Sequence, residues 1–345
     1  MSQLEQEIRG QSSVLAGRAE AGWGSASEAA RLLRREDVDH LVIAARGTSD
    51  NAARYAQYLL GLEARLPVGL AAPWLYGGPQ PPRLSRAAVL AISQSGRSPD
   101  IRTVLATAQA QGRPTIAITN DASSPMVDAA DVVVPMLAGA EQSVAATKTY
   151  LASLHAVAQI SACLAPRGRA DRDQWWERLP HLVSAAVDEQ LSRRARFDPL
   201  NGVQLITAVG RGLQLSTVHE TALKIRELSG IPAEAFSVPD LVHGPIAGVR
   251  TTGALWVVST KAREQPDVAT LRGLRQGAGL TVAVADVPEL VDAADIGVTV
   301  PAGLPEWIAP MVAVIAGQAA ALRLGELSGG DVDHPHGLHK VTLTR

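Results

Sequence analysis

Two tandem α/β domains, each a three-layer αβα sandwich with a central parallel sheet, are what this 345-residue sequence predicts. Three observations carry that prediction. Short apolar runs alternate with longer helix-like runs, the βα order that yields a parallel sheet with helices on both faces. The apolar runs are continuous, as strands covered on both faces should be. The chain also echoes itself at an offset of about 165 residues: HLVIAARGTSDNAARYAQYLL (40–60) with QLITAVGRGLQLSTVHETALK (204–224), PDIRTVLATAQAQGRPTIAIT (99–119) with PDVATLRGLRQGAGLTVAVA (266–285), and DAADVVVP (128–135) with DAADIGVT (292–299). So long an offset indicates domain duplication, since a solenoid would repeat every 20–50 residues or so, roughly.

Residues 1–24 read as an N-terminal helical segment, 25–168 as the first domain, 169–198 as a helical connector, 199–326 as the second domain and 327–345 as a tail. The opening MSQLEQEIRG is polar and acidic, unlike a signal peptide. Strands are expected at Leu41–Ala45, Val68–Ala71, Ala87–Ile92, Thr115–Thr119 and Asp131–Val134, and again at Val203–Val209, Ala254–Val258, Leu280–Ala285 and Ile296–Val300. Asp171–Arg196 reads as helix, with Trp175 and Trp176 packing as core. Apolar residues make up 46% of the chain but aromatic ones only 3%, so the cores must be built of Ala, Val, Leu and Ile. The most apolar late run, MVAVIAGQAAALRLGEL, is broken by Gln318 and Arg323 and reads as too short to span a bilayer. The tail, LSGGDVDHPHGLHKVTLTR, is rich in Gly, Pro and His and does not read as helix.

Net charge is -2, without the basic surplus of a nucleic-acid binder, so no nucleic-acid partner is expected, and the interrupted apolar run leads to no membrane partner being expected either. The lone Cys163 excludes an intrachain disulfide and fits a reducing, cytoplasmic location.

The stretch ISQSGRSPD sets Ser93, Gln94, Ser95, Gly96 and Ser98 between an apolar strand and a helix that starts with Ser98 as N-cap and Pro99 at its first position. Open α/β sheets bind ligands at such strand carboxyl ends, and a helix amino end favours an anion. Hydroxyls, an amide and a turn glycine there suit a phosphate monoester, and no G-x-x-x-x-G-K-[ST] pattern points to a nucleoside triphosphate. The equivalent place in the second half, VVSTKAREQPD, keeps Pro266–Asp267 but lacks the serine–glycine cluster, so one phosphate site is expected per chain. Gly47, Thr48 and Ser49 in AARGTSDNA form a second strand-to-helix turn that could complete the cradle. Farther on, Glu220, Lys224 and Glu227 share a helix face by i, i+4 and i, i+3 spacing. His243 precedes Gly244–Pro245, and the tail brings Lys340.

Together, RGTS, ISQSGRSPD, EQSVAATKTY, ETALKIREL, AEAFSVPDLVHGP and DVDHPHGLHKVT resemble the sugar isomerase (SIS) domain family, from about Leu41 onward. The likeness is to the isomerase half of glucosamine-6-phosphate synthase and to stand-alone SIS-type glucosamine-6-phosphate deaminases. The resemblance implies that Ser49, Ser93, Gln94, Ser95 and Ser98 hold a sugar 6-phosphate, and that Gly47, Thr48, Val144, Glu220 and the backbone near His339 contact the sugar. It implies that His243 opens the sugar ring and comes from a neighbouring subunit of a homodimer. Glu227 would move a proton between C1 and C2, Lys224 and Glu220 would position it, and Lys340 would form a Schiff base or steer C2 chemistry. No metal or other cofactor is implied. Arg46 stands where the synthase has Cys, Pro232 where it has a second His, and Met1–Ser2 where its glutaminase begins with a cysteine nucleophile. The implied reaction is isomerising deamination of glucosamine 6-phosphate. A dehydratase (lyase) of N-acetylglucosamine 6-phosphate, an aldose–ketose isomerase and a non-enzymatic sugar-phosphate sensor remain as alternatives.

Overall fold

The computed structural model describes residues 1–165, 173–260, 268–275 and 277–341. The Pro266–Asp267 echo, the connector's start at Asp171 and the boundary at 168 lie outside the described residues. The chain forms two compact units, and neither is a single stretch of sequence. One comprises Gly10–Glu141, Lys148–Pro180 and the tail from His339, and is called the first unit below; the second comprises Met1–Arg9, Gln142–Thr147 and His181–Leu338.

The first unit holds β1 (His40–Ala44), β2 (Val68–Leu70), β3 (Ala87–Ser93), β4 (Thr115–Thr119) and β5 (Val132–Pro135), parallel throughout in the order β2-β1-β3-β4-β5. The second unit holds β6 (Ile206–Gly210), β7 (Ala233–Ser237), β8 (Ala254–Ser259), β9 (Leu280–Ala285) and β10 (Ile296–Thr299), also parallel, in the order β10-β9-β8-β6-β7. These are two copies of one topology, the tandem αβα sandwich that the sequence predicts. The continuous apolar runs are the central strands: every residue of β3, β4, β6 and β8 is buried. Strand β7 was not among the expected strands. Its sequence AEAFS is only half-buried at a sheet edge, so it lacks the apolar run that marks a central strand. β6 begins at Ile206 rather than Val203.

The duplication is visible in a shared fastener. Thr115 donates its backbone N–H (2.8 Å) and hydroxyl (3.1 Å) to Asp131, tying β4 to β5. Thr281 makes the same two bonds to Asp295 (2.8 and 2.7 Å) between β9 and β10. Each aspartate's N–H returns a bond to the threonine hydroxyl, at 2.9 and 3.0 Å.

Helix Ala309–Ser328 corrects one expectation. It is 20 residues long and long and apolar enough to cross a membrane. Its side chains are instead mostly buried in the second unit, Gln318 included, and Arg323 pairs with Asp198 at 2.7 Å. It packs closely on helix Gln214–Ser229: a Cβ on Gly317 would lie 2.2 Å from the Thr221 hydroxyl oxygen. Trp175 is a second correction. Trp176 is buried, edge-on to Trp23 and His155, but Trp175 is only half-buried, beneath the Arg178 guanidinium.

In the first unit, helix Gln11–Ala21 buries Arg18 against helix Lys148–Leu164. Its guanidinium donates to the Pro135 carbonyl, to Gln159 Oε1 (2.9 Å) and to His155 Nδ1 (3.4 Å), and burial pushes its pKa down to about 10. Burial, and then the Arg18 charge, hold His155 well below the usual imidazole pKa of 6.5. Below that value the unfolded chain takes up a proton that the folded chain refuses, so the stability His155 provides above pH 6.5 is lost as pH falls. Urea melts at pH 7.5 and 5.5 should therefore differ by about 1.4 kcal/mol more in the wild type than in His155→Gln. Equal differences in the two proteins would count against this.

Candidate functional site

In the order β2-β1-β3-β4-β5 the strand order reverses between the parallel strands β1 and β3, and open α/β sheets take ligands at the carboxyl ends of such a pair. The two polar turns lie there. Gly47 follows β1 at φ 54°, in left-handed space that favours glycine, and caps helix Thr48–Ala64, whose first turn carries Thr48 and Ser49. Ser93 ends β3, and Ser98 caps helix Pro99–Ala110. The structure thus brings Gly47, Thr48, Ser49, Ser93, Gln94, Ser95 and Ser98 to the carboxyl end of one sheet.

Local bonds shape this loop. The Gly96 N–H donates to the Ser93 hydroxyl (3.1 Å), and the Arg97 N–H to the Ser95 hydroxyl (3.3 Å). The Gln94 carbonyl accepts from the Asn120 N–H (3.1 Å) and the Gly96 carbonyl from the Met126 N–H (3.2 Å). Gly96 sits at φ 59°, and a Cβ there would come within 2.0 Å of the Ser124 hydroxyl, so the loop needs glycine. Ser98 occupies the cap position without a side-chain capping bond, which leaves its hydroxyl available to a ligand. Arg46 pairs with Asp100 (2.8 Å) and Arg97 with Asp121 (3.1 Å), so the two arginines beside the turns are charge-balanced. First-turn N–H groups of two helices and several hydroxyls can together hold a phosphate.

The equivalent crevice of the second unit, between β6 and β8, is bridged by its own side chains. Gln214 donates to the Thr260 hydroxyl (3.0 Å) and accepts from Thr217 (2.7 Å), all three being buried.

The second unit contributes a different array. On helix Gln214–Ser229 the Lys224 ammonium lies 3.6 Å from Glu220 and bonds directly to Glu227 Oε2. Glu220 and Lys224 are buried, whereas the Glu227 side chain is 24% exposed. Glu227 lines a cleft of about 690 Å³ with Arg226, Asp331, His334 and His336. A carboxylate held by a buried cation, with one edge open to a cleft, is equipped to take and return a proton. His243 does not line this cleft; it is exposed at the end of helix Val238–Val242. Val144, in the same unit, donates its N–H to the Asp333 carbonyl (3.0 Å).

Lys340 belongs to the first unit, as does the exposed His339. The Lys340 ammonium pairs at 2.9 Å with Glu141, whose fully buried side chain also accepts from the Thr149 N–H (3.1 Å) and hydroxyl (2.7 Å). Sequence reasoning missed Glu141 as this partner, although it opens the EQSVAATKTY segment, because the two lie 199 residues apart. Among the described residues no group of three or more His, Cys, Asp and Glu could hold a metal.

Residues 34–161 match the family model of the SIS domain. The chain carries a SIS domain. The glutamine–fructose-6-phosphate aminotransferase [isomerizing] of Thermus thermophilus is 32% identical over 318 residues, 88% of this chain and 52% of that protein. The chain spans about half the length of the curated relatives it matches. Among solved structures, the C-terminal domain of glucosamine-fructose-6-phosphate aminotransferase from Francisella tularensis superposes with a TM-score of 0.88 at 24% identity, covering 97% of this chain and 98% of that one. The glucosamine-6-phosphate deaminase of Thermotoga maritima gives 0.76 at 17% identity, covering 99% and 100%. The two parallel sheets thus have the fold of two tandem SIS domains.

Proposed function

We propose that the chain catalyses the isomerising deamination of glucosamine 6-phosphate to fructose 6-phosphate and ammonia. The observation that carries this reading is the Glu220–Lys224–Glu227 array, a carboxylate presented to a cleft by a buried lysine. The Ser93–Ser98 and Gly47–Ser49 turns bind the 6-phosphate. Glu227 takes the C2 proton of the open-chain sugar and returns it at C1, leaving an imine at C2. Water then adds to the imine, and ammonia leaves. The names of the Thermus and Thermotoga relatives support an amino-sugar or fructose 6-phosphate substrate.

Lys340 serves as a cation that stabilises charge developing on the sugar oxygens. Its pairing with Glu141 favours this over a Schiff base, which needs an amine with a free lone pair. His243, exposed at the surface, opens the ring in a neighbouring copy of a homodimer.

The test is proton NMR in D2O with an ammonia assay, run on glucosamine 6-phosphate and separately on N-acetylglucosamine 6-phosphate. Fructose 6-phosphate and ammonia from the first substrate are expected. A vinyl signal from the second alone would replace this reading with a lyase, and solvent exchange at C1 or C2 without ammonia would replace it with an isomerase.

A further inference from the structure

Glu7 has no part in the proton-transfer array, yet it is 2% exposed. It lies on the short helix Gln3–Arg9, which Leu4 and Ile8, both fully buried, anchor in the second unit. Both of its carboxylate oxygens face the irregular segment Gln142–Thr147 of that unit. Oε1 accepts from the Gln142 N–H (2.5 Å) and from Gln3 Nε2 (3.3 Å), and Oε2 accepts from the Ser143 hydroxyl. The same helix is tied to the residue that holds Val144. The Asp333 carboxylate accepts from the N–H groups of Gln3 (2.9 Å) and Leu4 (2.7 Å), while its carbonyl accepts from the Val144 N–H (3.0 Å). Residues 142, 143 and 144 are thus gripped in succession by two carboxylate-bearing residues that one helical turn holds together. A segment outside helix and sheet has no ladder to fix its backbone, so such side-chain bonds set its conformation.

We propose that Glu7 is a positioning residue for the sugar: by fixing Gln142 and Ser143 it sets how Val144 meets the substrate. This rests on the proposed function, in which the serine turns of the first unit take the phosphate, and on the resemblance, which implies that Val144 contacts the sugar. Glu7 therefore governs recognition of the sugar and leaves recognition of the phosphate alone.

Calorimetric titration of the full chain with glucosamine 6-phosphate and, separately, inorganic phosphate tests this in wild type, Glu7→Ala, Glu7→Gln, Ser143→Ala and the double variant Glu7→Ala with Ser143→Ala. Loss of one buried bond to a charged group corresponds to about tenfold in affinity. Glu7→Ala is expected to weaken sugar-phosphate binding by about that factor or more, with phosphate binding unchanged within about twofold. Turnover should show the matching split, KM raised and kcat retained, and the Gln142 amide should exchange faster with D2O. Glu7→Gln, whose amide carbonyl still accepts from the Gln142 N–H, should recover part of the loss, and Ser143→Ala should add little once Glu7 is gone. Equal weakening of both ligands alongside a lowered melting temperature would make Glu7 merely structural and overturn the proposal. So would sugar-phosphate affinity unchanged in Glu7→Ala. A wild type that binds glucosamine 6-phosphate but releases no ammonia would sink the deaminase reading while leaving the affinity ratio to decide this one. A wild type that does not bind the sugar phosphate at all would end both.

Discussion

Glu227→Gln is expected to lower kcat about 10²- to 10⁴-fold while leaving KM for glucosamine 6-phosphate within a few-fold of wild type. The amide keeps the length and shape of the carboxylate but cannot accept a proton. Lys224 remains beside Glu220, so the helix should hold its place and the melting temperature should move little. The loss should appear as absent deuterium incorporation at C1 as well as absent ammonia, because the same group serves both halves of the transfer. A variant within tenfold of wild-type kcat would show that the proton is carried elsewhere, and the conclusion drawn from the lysine-held carboxylate would fall with it.

Lys224→Met should produce the largest stability change. Lys224 is 1% exposed between two carboxylates, one of them fully buried, and removing one partner of a buried ion pair costs about 3–5 kcal/mol. Met restores the volume and the apolar stem but not the charge, so the cost is electrostatic rather than a cavity. The double variant Lys224→Met with Glu220→Gln should recover part of the loss, since it no longer leaves Glu220 charged in the interior. Urea unfolding of both variants measures this. A single variant within about 1 kcal/mol of wild type, or a double variant no better than the single, would mean that Glu220 is compensated chiefly by other groups.

Sheet interiors were legible because they are continuous apolar runs, and β4 and β9 came out to the residue. The edge strand β7 was not, because Glu234 faces outward and the run never becomes apolar. The Glu220–Lys224–Glu227 face was legible because helical spacing is local, and the position of the two polar turns because a strand end and a helix start adjoin in sequence. The Lys340–Glu141 pair and the Glu7 and Asp333 bonds join positions far apart in the chain, so no local pattern announces them. Helix Ala309–Ser328 misled in its own way: Gln318 and Arg323 read as interruptions of an apolar run, but in a packed helix one is buried and the other finds Asp198.

The Thr–Asp fastener is the same in both sheets, while the turns at the strand ends differ, a serine–glycine cluster in one and the Gln214–Thr260 bond in the other. Seen as a history, the two halves kept their mechanical parts in common and diverged at the mouth of the sheet. On the function proposed above, the first half takes the phosphate and the second carries the lysine-clasped carboxylate. Division of labour between twins of this kind lets grip and reaction be altered independently, so a change of substrate need not disturb both halves of the molecule at once.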